Sequence, residues 1–153
     1  MPLDLRFEKE VPAGFGKTVL EVQIESTLAR KSEVLLKVLD ELKKHGLVRS
    51  KEDEIHIRYC VDEAIANAIL HGNRLDRKKN VFVTVYLSDD MWGVRVEDQG
   101  KGFSPDMVPD PDDPQSLLLE HGRGILIMKA FMDEVKFYRN GCGLLMTKKR
   151  PRK

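Results

Sequence analysis

Three polar stretches marked by glycine, set apart by apolar segments, constrain this chain more than any other feature. The first is Glu63-Ala64-Ile65-Ala66-Asn67-Ala68-Ile69-Leu70-His71-Gly72. The second is Glu97-Asp98-Gln99-Gly100-Lys101-Gly102-Phe103, and the third is Gly122-Arg123-Gly124. Carboxylates and amides among apolar residues are costly to bury unless something is there to bind. Glycines beside them leave backbone with no Cβ to obstruct a ligand.

The segments between these stretches show clear periods. In residues 18–26 (TVLEVQIES), Leu20, Val22 and Ile24 recur at a spacing of two, which predicts a half-buried strand. Ser26 can cap a helix that runs to about residue 44 and buries Leu28, Val34, Leu35, Val38, Leu39 and Leu42, with Gly46 ending it. A second helix opens after Ser50, with Asp53 completing a cap pair, and reads to residues 71–72 through Ile57, Val61, Ala64, Ile65, Ala68 and Ile69. Strands at 81–87 and 92–97 joined by Ser88-Asp89-Asp90 form a hairpin pattern. Residues 103–121, with four prolines and four aspartates in PDMVPDPDDP, read as a lid. Gly122-Arg123-Gly124 then opens a third helix from residue 125 to about 132, and strands near 135–139 and 144–148 turn at Asn140-Gly141. Helices on one side of a mostly antiparallel sheet give an α+β, two-layer α/β sandwich.

Glu63, Asn67 and His71 lie at i, i+4 and i+8 and share one helix face. The stripe is either a solvated face or a ligand face. As a ligand face, the Asn67 carbonyl suits Mg²⁺, which keeps several waters and takes phosphate oxygens. Glu63 is then placed to accept a proton from an attacking hydroxyl. Asp98 closes an apolar strand, and Asp-x-Gly-x-Gly is either a plain turn or a pocket floor whose carboxylate accepts from an exocyclic amine. Gly122-Arg123-Gly124 before a helix suits phosphate, because helix N-termini present unpaired N–H groups and a positive dipole end. Gly14-Phe15-Gly16-Lys17-Thr18 ends like a phosphate loop, but Val11 stands where its first glycine belongs and a strand follows instead of a helix.

Composition excludes several alternatives. The 153 residues suffice for one domain with its own core, taken here as 1–153 with a core of about 18–149. Net charge is +1, so the balance calls for no nucleic acid, and the basic tail 148–153 is read as a solvated end. No apolar run approaches the roughly 20 residues that cross a bilayer, and residues 1–4 show no export signal; a cytoplasmic protein is expected. Cys60 and Cys142 lack metal-ligand spacing and read as reduced thiols.

Taken in order, Glu-x-x-x-Asn-Ala…His-Gly, Asp-x-Gly-x-Gly and Gly-x-Gly-helix resemble the ATP-binding fold of DNA gyrase, histidine kinases and mismatch-repair ATPases. Within it the chain most resembles the bacterial anti-sigma serine/threonine kinases, through Glu63…His71-Gly72-Asn73, Asp98…Phe103 and Gly122-Arg123-Gly124-Ile125…Met128…Met132-Asp133-Glu134-Val135. The resemblance covers roughly residues 18–149. It implies ATP with Mg²⁺ as cofactors, Mg²⁺ on Asn67, Glu63 as general base and Asp98 on adenine. Gly100 and Gly102 would shape the base pocket, and Gly122, Arg123 and Gly124 would meet phosphate. Thr147 matches a last-strand threonine near adenine, and Arg30 matches an arginine that contacts the partner in some relatives. It further implies a serine kinase that phosphorylates a small antagonist protein and sequesters a sigma factor, as a homodimer through the sheet side. Two departures stand out: Glu120 replaces an arginine that some relatives place two residues before the Gly-x-Gly, and Gly141-Cys142-Gly143 replaces a frequent Gly-Thr-Thr. A nucleotide-dependent binding module without phosphoryl transfer is the alternative. The catalytic half of a histidine kinase fits less well, since the first helix offers only His45, at its polar end.

Overall fold

The computed structural model describes residues 6–102 and 120–151. In chain order these form β1 (Arg6–Glu8), β2 (Lys17–Glu25), α1 (Leu28–Lys44), α2 (Lys51–Asn67), β3 (Asn80–Leu87), β4 (Met91–Glu97), α3 (Glu120–Phe131), β5 (Glu134–Tyr138) and β6 (Gly143–Lys149). The strands make one sheet in the order β1-β5-β6-β4-β3-β2. Every neighbouring pair is antiparallel except β1 with β5. The three helices cover one face, and the expected two-layer α+β sandwich is the fold. Strand β1 escapes sequence reasoning because three residues, Arg6-Phe7-Glu8, are too few to display a period.

The core lies between helices and sheet. Alternation puts Val81, Val83 and Val85 of β3 and Trp92, Val94 and Val96 of β4 on the helix side, each 3% exposed or less. Against them pack Val34, Val38 and Leu42 of α1 and Ile57, Val61 and Ile65 of α2. Each fully buried aliphatic side chain of this kind stabilises by about 1.5–3 kcal/mol. Helix α1 is capped by Thr27, whose Oγ1 accepts from the Arg30 N–H, and not by Ser26. Ser26 is fully buried and donates instead to the Lys79 carbonyl, so the residue beside it takes the cap. Gly46, at φ +72°, ends α1, with the Gly46 and Leu47 N–H groups donating back to Lys43 and Leu42. Ser50 caps α2 as expected, accepting from Asp53, whose carboxylate accepts from the Arg49 N–H.

The chain's own residues 12–15 lie over the centre of the opposite sheet face, at Tyr86, Gly93 and Arg95. Phe15 tilts onto Tyr86 with ring centroids 5.3 Å apart. Arg95, 6% exposed, donates to the hydroxyls of Tyr86 and Tyr138 at 2.9 and 2.7 Å and to the Pro12 carbonyl. This buried guanidinium is tolerable because its donors are matched by oxygens and its plane lies near two aromatic rings.

Candidate functional site

The C-terminal end of α2 sets the site. Beyond Asn67 the helix widens into a single looser turn, Ala68–Gly72, whose closing bond runs from the Asn73 N–H to the Ala68 carbonyl at 2.8 Å. Such wide turns recur at functional sites, because they re-aim side chains without ending the helix. Beside this turn, α2, the ends of β4 and β6, and α3 enclose a cavity of about 410 Å³, in the size range of small-molecule sites. Apolar side chains such as Ala64, Val96, Ile125, Phe137 and Leu144 make most of its wall, joined by Asn67, His71 and Asp98.

Asp98 is the buried carboxylate of this cavity, 5% exposed. Burial pushes its pKa up, while the Gly100 N–H, donating to Oδ1 at 2.8 Å, draws it back toward ionisation. Three glycines let the chain close around it. A Cβ on Gly72 would strike the Asp98 carboxylate, one on Gly100 would strike the Gly72 carbonyl, and one on Gly102, at φ +84°, would strike the Asn140 carbonyl. The first two polar stretches are therefore in backbone contact, and the second also touches the β5–β6 turn. Cys142 in that turn lines the cavity, its carbonyl accepts from the Asp98 N–H at 2.8 Å, and its thiol donates to the Gly100 carbonyl at 3.1 Å. Burial and the neighbouring Asp98 push the Cys142 thiol pKa up, so it sits there as a neutral donor.

The third stretch arrives through α3. Residues 120–124 are already helical, where the glycine pattern suggests a helix only from residue 125. Gly124 therefore falls inside the helix, where the helix satisfies its own N–H groups. Gly124 serves close packing instead: a Cβ there would overlap the Glu63 side chain. Glu63 thus lies between α2 and the start of α3, one turn from Asn67. The Arg123 side chain and the expected lid up to residue 119 lie outside the described residues.

Asn67, Asp98 and Gly102 thus line one cavity, Gly100 adjoins it through Gly72 and Asp98, and Glu63 and Gly124 meet beside it between α2 and α3. Thr147 does not join them. It pairs with Gly93 in β6–β4 register and lies on the Arg95 face, because alternation from Leu144 and Met146 on the core side points it away. Arg30 is exposed at the start of α1 and pairs with Glu33 at 2.8 Å, apart from the cavity.

Two residues were under-read from sequence. One is Cys142, noted there only as a departure. The other is Asn73, 1% exposed, whose Nδ2 donates to Ser26 Oγ and the Asn80 carbonyl at 2.8 and 2.9 Å. Its Oδ1 accepts from the Gln99 N–H at 2.8 Å, tying α2 to the Asp98 turn. A polar residue directly after His-Gly at a helix end is the only signal that could have marked it.

A helix edge and a sheet end enclosing an apolar cavity, with one buried carboxylate and glycine-lined backbone, define an α+β sandwich built for a small-molecule ligand. The chain belongs to the histidine kinase-like ATPase domain family, whose model matches residues 24–148. Among curated relatives, an anti-sigma F factor of Clostridium perfringens strain SM101 is 30% identical over 105 residues, covering 64% of this chain and 74% of that protein. The anti-sigma F factor of Bacillus cytotoxicus is 35% identical over 91 residues, covering 58% of this chain and 62% of that protein. No helix among the described residues is long and apolar enough to cross a membrane.

Proposed function

We propose that the protein is an ATP-binding anti-sigma factor that transfers the γ-phosphoryl group of ATP to a serine of a small antagonist protein. When not so engaged it sequesters a sigma factor. The carrying observation is the buried Asp98 carboxylate in an apolar cavity that Asn67 of α2 also lines, one turn from Glu63. The cavity fits adenine: its apolar walls match a purine face, and Asp98 accepts from the exocyclic amine that guanine lacks at that position. Asn67 fits Mg²⁺ as a single neutral oxygen ligand, the rest of the shell being phosphate oxygens and water. When bound, the metal supplies neutralisation of phosphate charge.

The chain's own residues do the rest. Gly72, Gly100 and Gly102 admit the base edge, and the N-terminal end of α3, with Gly122 and Gly124, meets the phosphates. Glu63 holds a carboxylate oxygen for the proton of the attacking serine hydroxyl. Arg123 adds charge near the phosphates. In-line transfer needs mainly positioning and charge stabilisation, which this division of labour supplies. A homodimer and a cytoplasmic setting belong to the same proposal.

Incubation with labelled ATP and a cognate antagonist tests the chemistry. Label should reach the antagonist with wild-type protein and fall at least about a hundredfold with Glu63→Ala, within the range of general-base effects. No transfer by wild-type protein that demonstrably binds ATP would leave the second reading, an ATP-dependent binding module. Cys142 in the cavity wall and Glu120, two residues before Gly122, favour that second reading.

A further inference from the structure

The link between the wide turn of α2 and β3 carries four cations in six residues, Arg74, Arg77, Lys78 and Lys79, while the whole chain has a net charge of only +1. Lys101 faces them: Arg74, Lys79 and Lys101 help line a cavity of about 300 Å³ that shares His71, Gly72, Arg74 and Gly102 with the larger one. Among the described residues, one ion pair draws on the loop, Arg77 with Glu25 at 3.4 Å, and both side chains are at least half exposed. Exposed pairs of that kind are weak. The loop's only carboxylate, Asp76, accepts from the Lys78 N–H at 3.0 Å and is engaged in holding the turn.

The loop is also strained and hydrogen-bonded at both ends. Arg74 and Leu75 adopt φ of +52° and +60°, a region that side-chain-bearing residues rarely enter. They are held there by the Leu75 N–H donating to the Ile69 carbonyl at 2.8 Å and the Asp76 N–H to the Asn73 carbonyl at 3.0 Å. The far end is fixed by Ser26 Oγ donating to the Lys79 carbonyl at 2.7 Å. The outcome of the strain is an outward-facing leucine: Leu75 is 49% exposed at the centre of the cations. Strain retained by surrounding bonds marks functional segments, and an apolar centre with a charged rim on a pre-ordered loop is the anatomy of a recognition surface.

We propose that residues 74–79 with Lys101 form a docking surface for an acidic segment of the sigma factor, with Leu75 seating an apolar side chain of that segment. The assignment rests on the anti-sigma role proposed above. Because Asn73 bonds the Asp98 turn and Arg74 lines both cavities, a partner held here meets the wall of the ligand cavity. A nucleic-acid ligand is disfavoured, since the loop offers no aromatic side chain to stack on a base and the chain as a whole is nearly neutral.

Calorimetry with sigma factors of the same cell, in the presence of Mg-ATP, tests this with Arg77→Glu/Lys78→Glu and with Leu75→Gly. Glycine relieves the left-handed backbone, so Leu75→Gly removes the apolar group without removing the fold. Both variants should bind the sigma factor at least about tenfold more weakly, as lost interfacial charge or anchor contacts do. Wild-type affinity should fall with added salt, and that of the charge-reversed variant should not. The ATP-induced thermal shift should persist in both. Variants that bind the sigma factor as wild type does overturn the docking surface alone. So does loss of antagonist binding with sigma binding intact, or binding of a DNA duplex that the charge reversal abolishes. Wild-type protein that binds no sigma factor overturns the anti-sigma function and this surface with it.

Discussion

Asp98 concentrates the chemistry of the site in one side chain. A carboxyl whose pKa is raised by folding binds its proton more tightly in the fold than in the unfolded chain. Its contribution to stability is therefore full below the ordinary carboxylate range and is lost as pH rises through the raised value. Asp98→Asn keeps an oxygen for the Gly100 N–H and removes the desolvated charge. The ligand-free variant should melt at the same temperature as wild type or higher at neutral pH, and its melting point should lose the wild-type decline as pH rises from acid. Thermal denaturation with and without Mg-ATP checks this: the nucleotide-induced shift should vanish. A variant that melts lower alone and keeps the full shift contradicts the role given to Asp98. This residue was legible because a carboxylate followed by alternate glycines is chemically unusual at a strand end. Thr147 was misplaced for a reason equally physical: counting from Leu144 and Met146 puts it on the other face, and a motif match ignores that alternation. Asn73 was hard to read because its three side-chain partners, on Ser26, Asn80 and Gln99, come from separate parts of the chain. Asn73→Ala leaves buried groups without partners and should cost about 1–3 kcal/mol in chemical denaturation, each unsatisfied group carrying a penalty of that order.

Among the elements, α2 and α3 do most to assemble the site, and their contact is made through a missing side chain. Gly124 brings α3 onto Glu63, and seven residues on in α3 and seven back in α2 Phe131 meets His56 in a tilted contact with ring centroids 4.8 Å apart. Gly124→Val should force the helices apart or turn Glu63 away. Overpacking of this kind typically costs about 1–3 kcal/mol, and transfer to the antagonist should fall more steeply than ATP affinity, because Asp98 and Asn67 are left in place. Comparing the ATP dissociation constant with the single-turnover rate separates the two effects. Helix and strand existence was well marked, since α1, α2, β3 and β4 carry sustained periods. The helical state of residues 120–124 was not: glycines lower helix propensity, and the sequence cannot reveal that a glutamate from another helix occupies the space beside Gly124.

At the scale of the molecule, one sheet face belongs to the helices and the ligand cavity, and the centre of the other is taken by residues 12–15 over Arg95. Arg95→Ala should loosen this cover by removing three hydrogen bonds at once, and light scattering would then report whether a second copy gains access to that face. The sandwich itself was readable from alternating and helical periods. The crossing strap was not, because Val11 to Gly16 show no period and the bond to Arg95 uses only a backbone carbonyl. The central claim, that the cavity between α2 and the sheet grips an adenine nucleotide through Asp98 and Asn67 together, is tested most directly by calorimetric titration of the whole protein with Mg-ATP and with Mg-GTP. Saturable one-to-one binding of ATP, much weaker binding of GTP, and loss of the ATP signal in Asn67→Ala are the predicted results. No saturable heat with ATP at millimolar concentration, or equal binding of the two nucleotides, would contradict it.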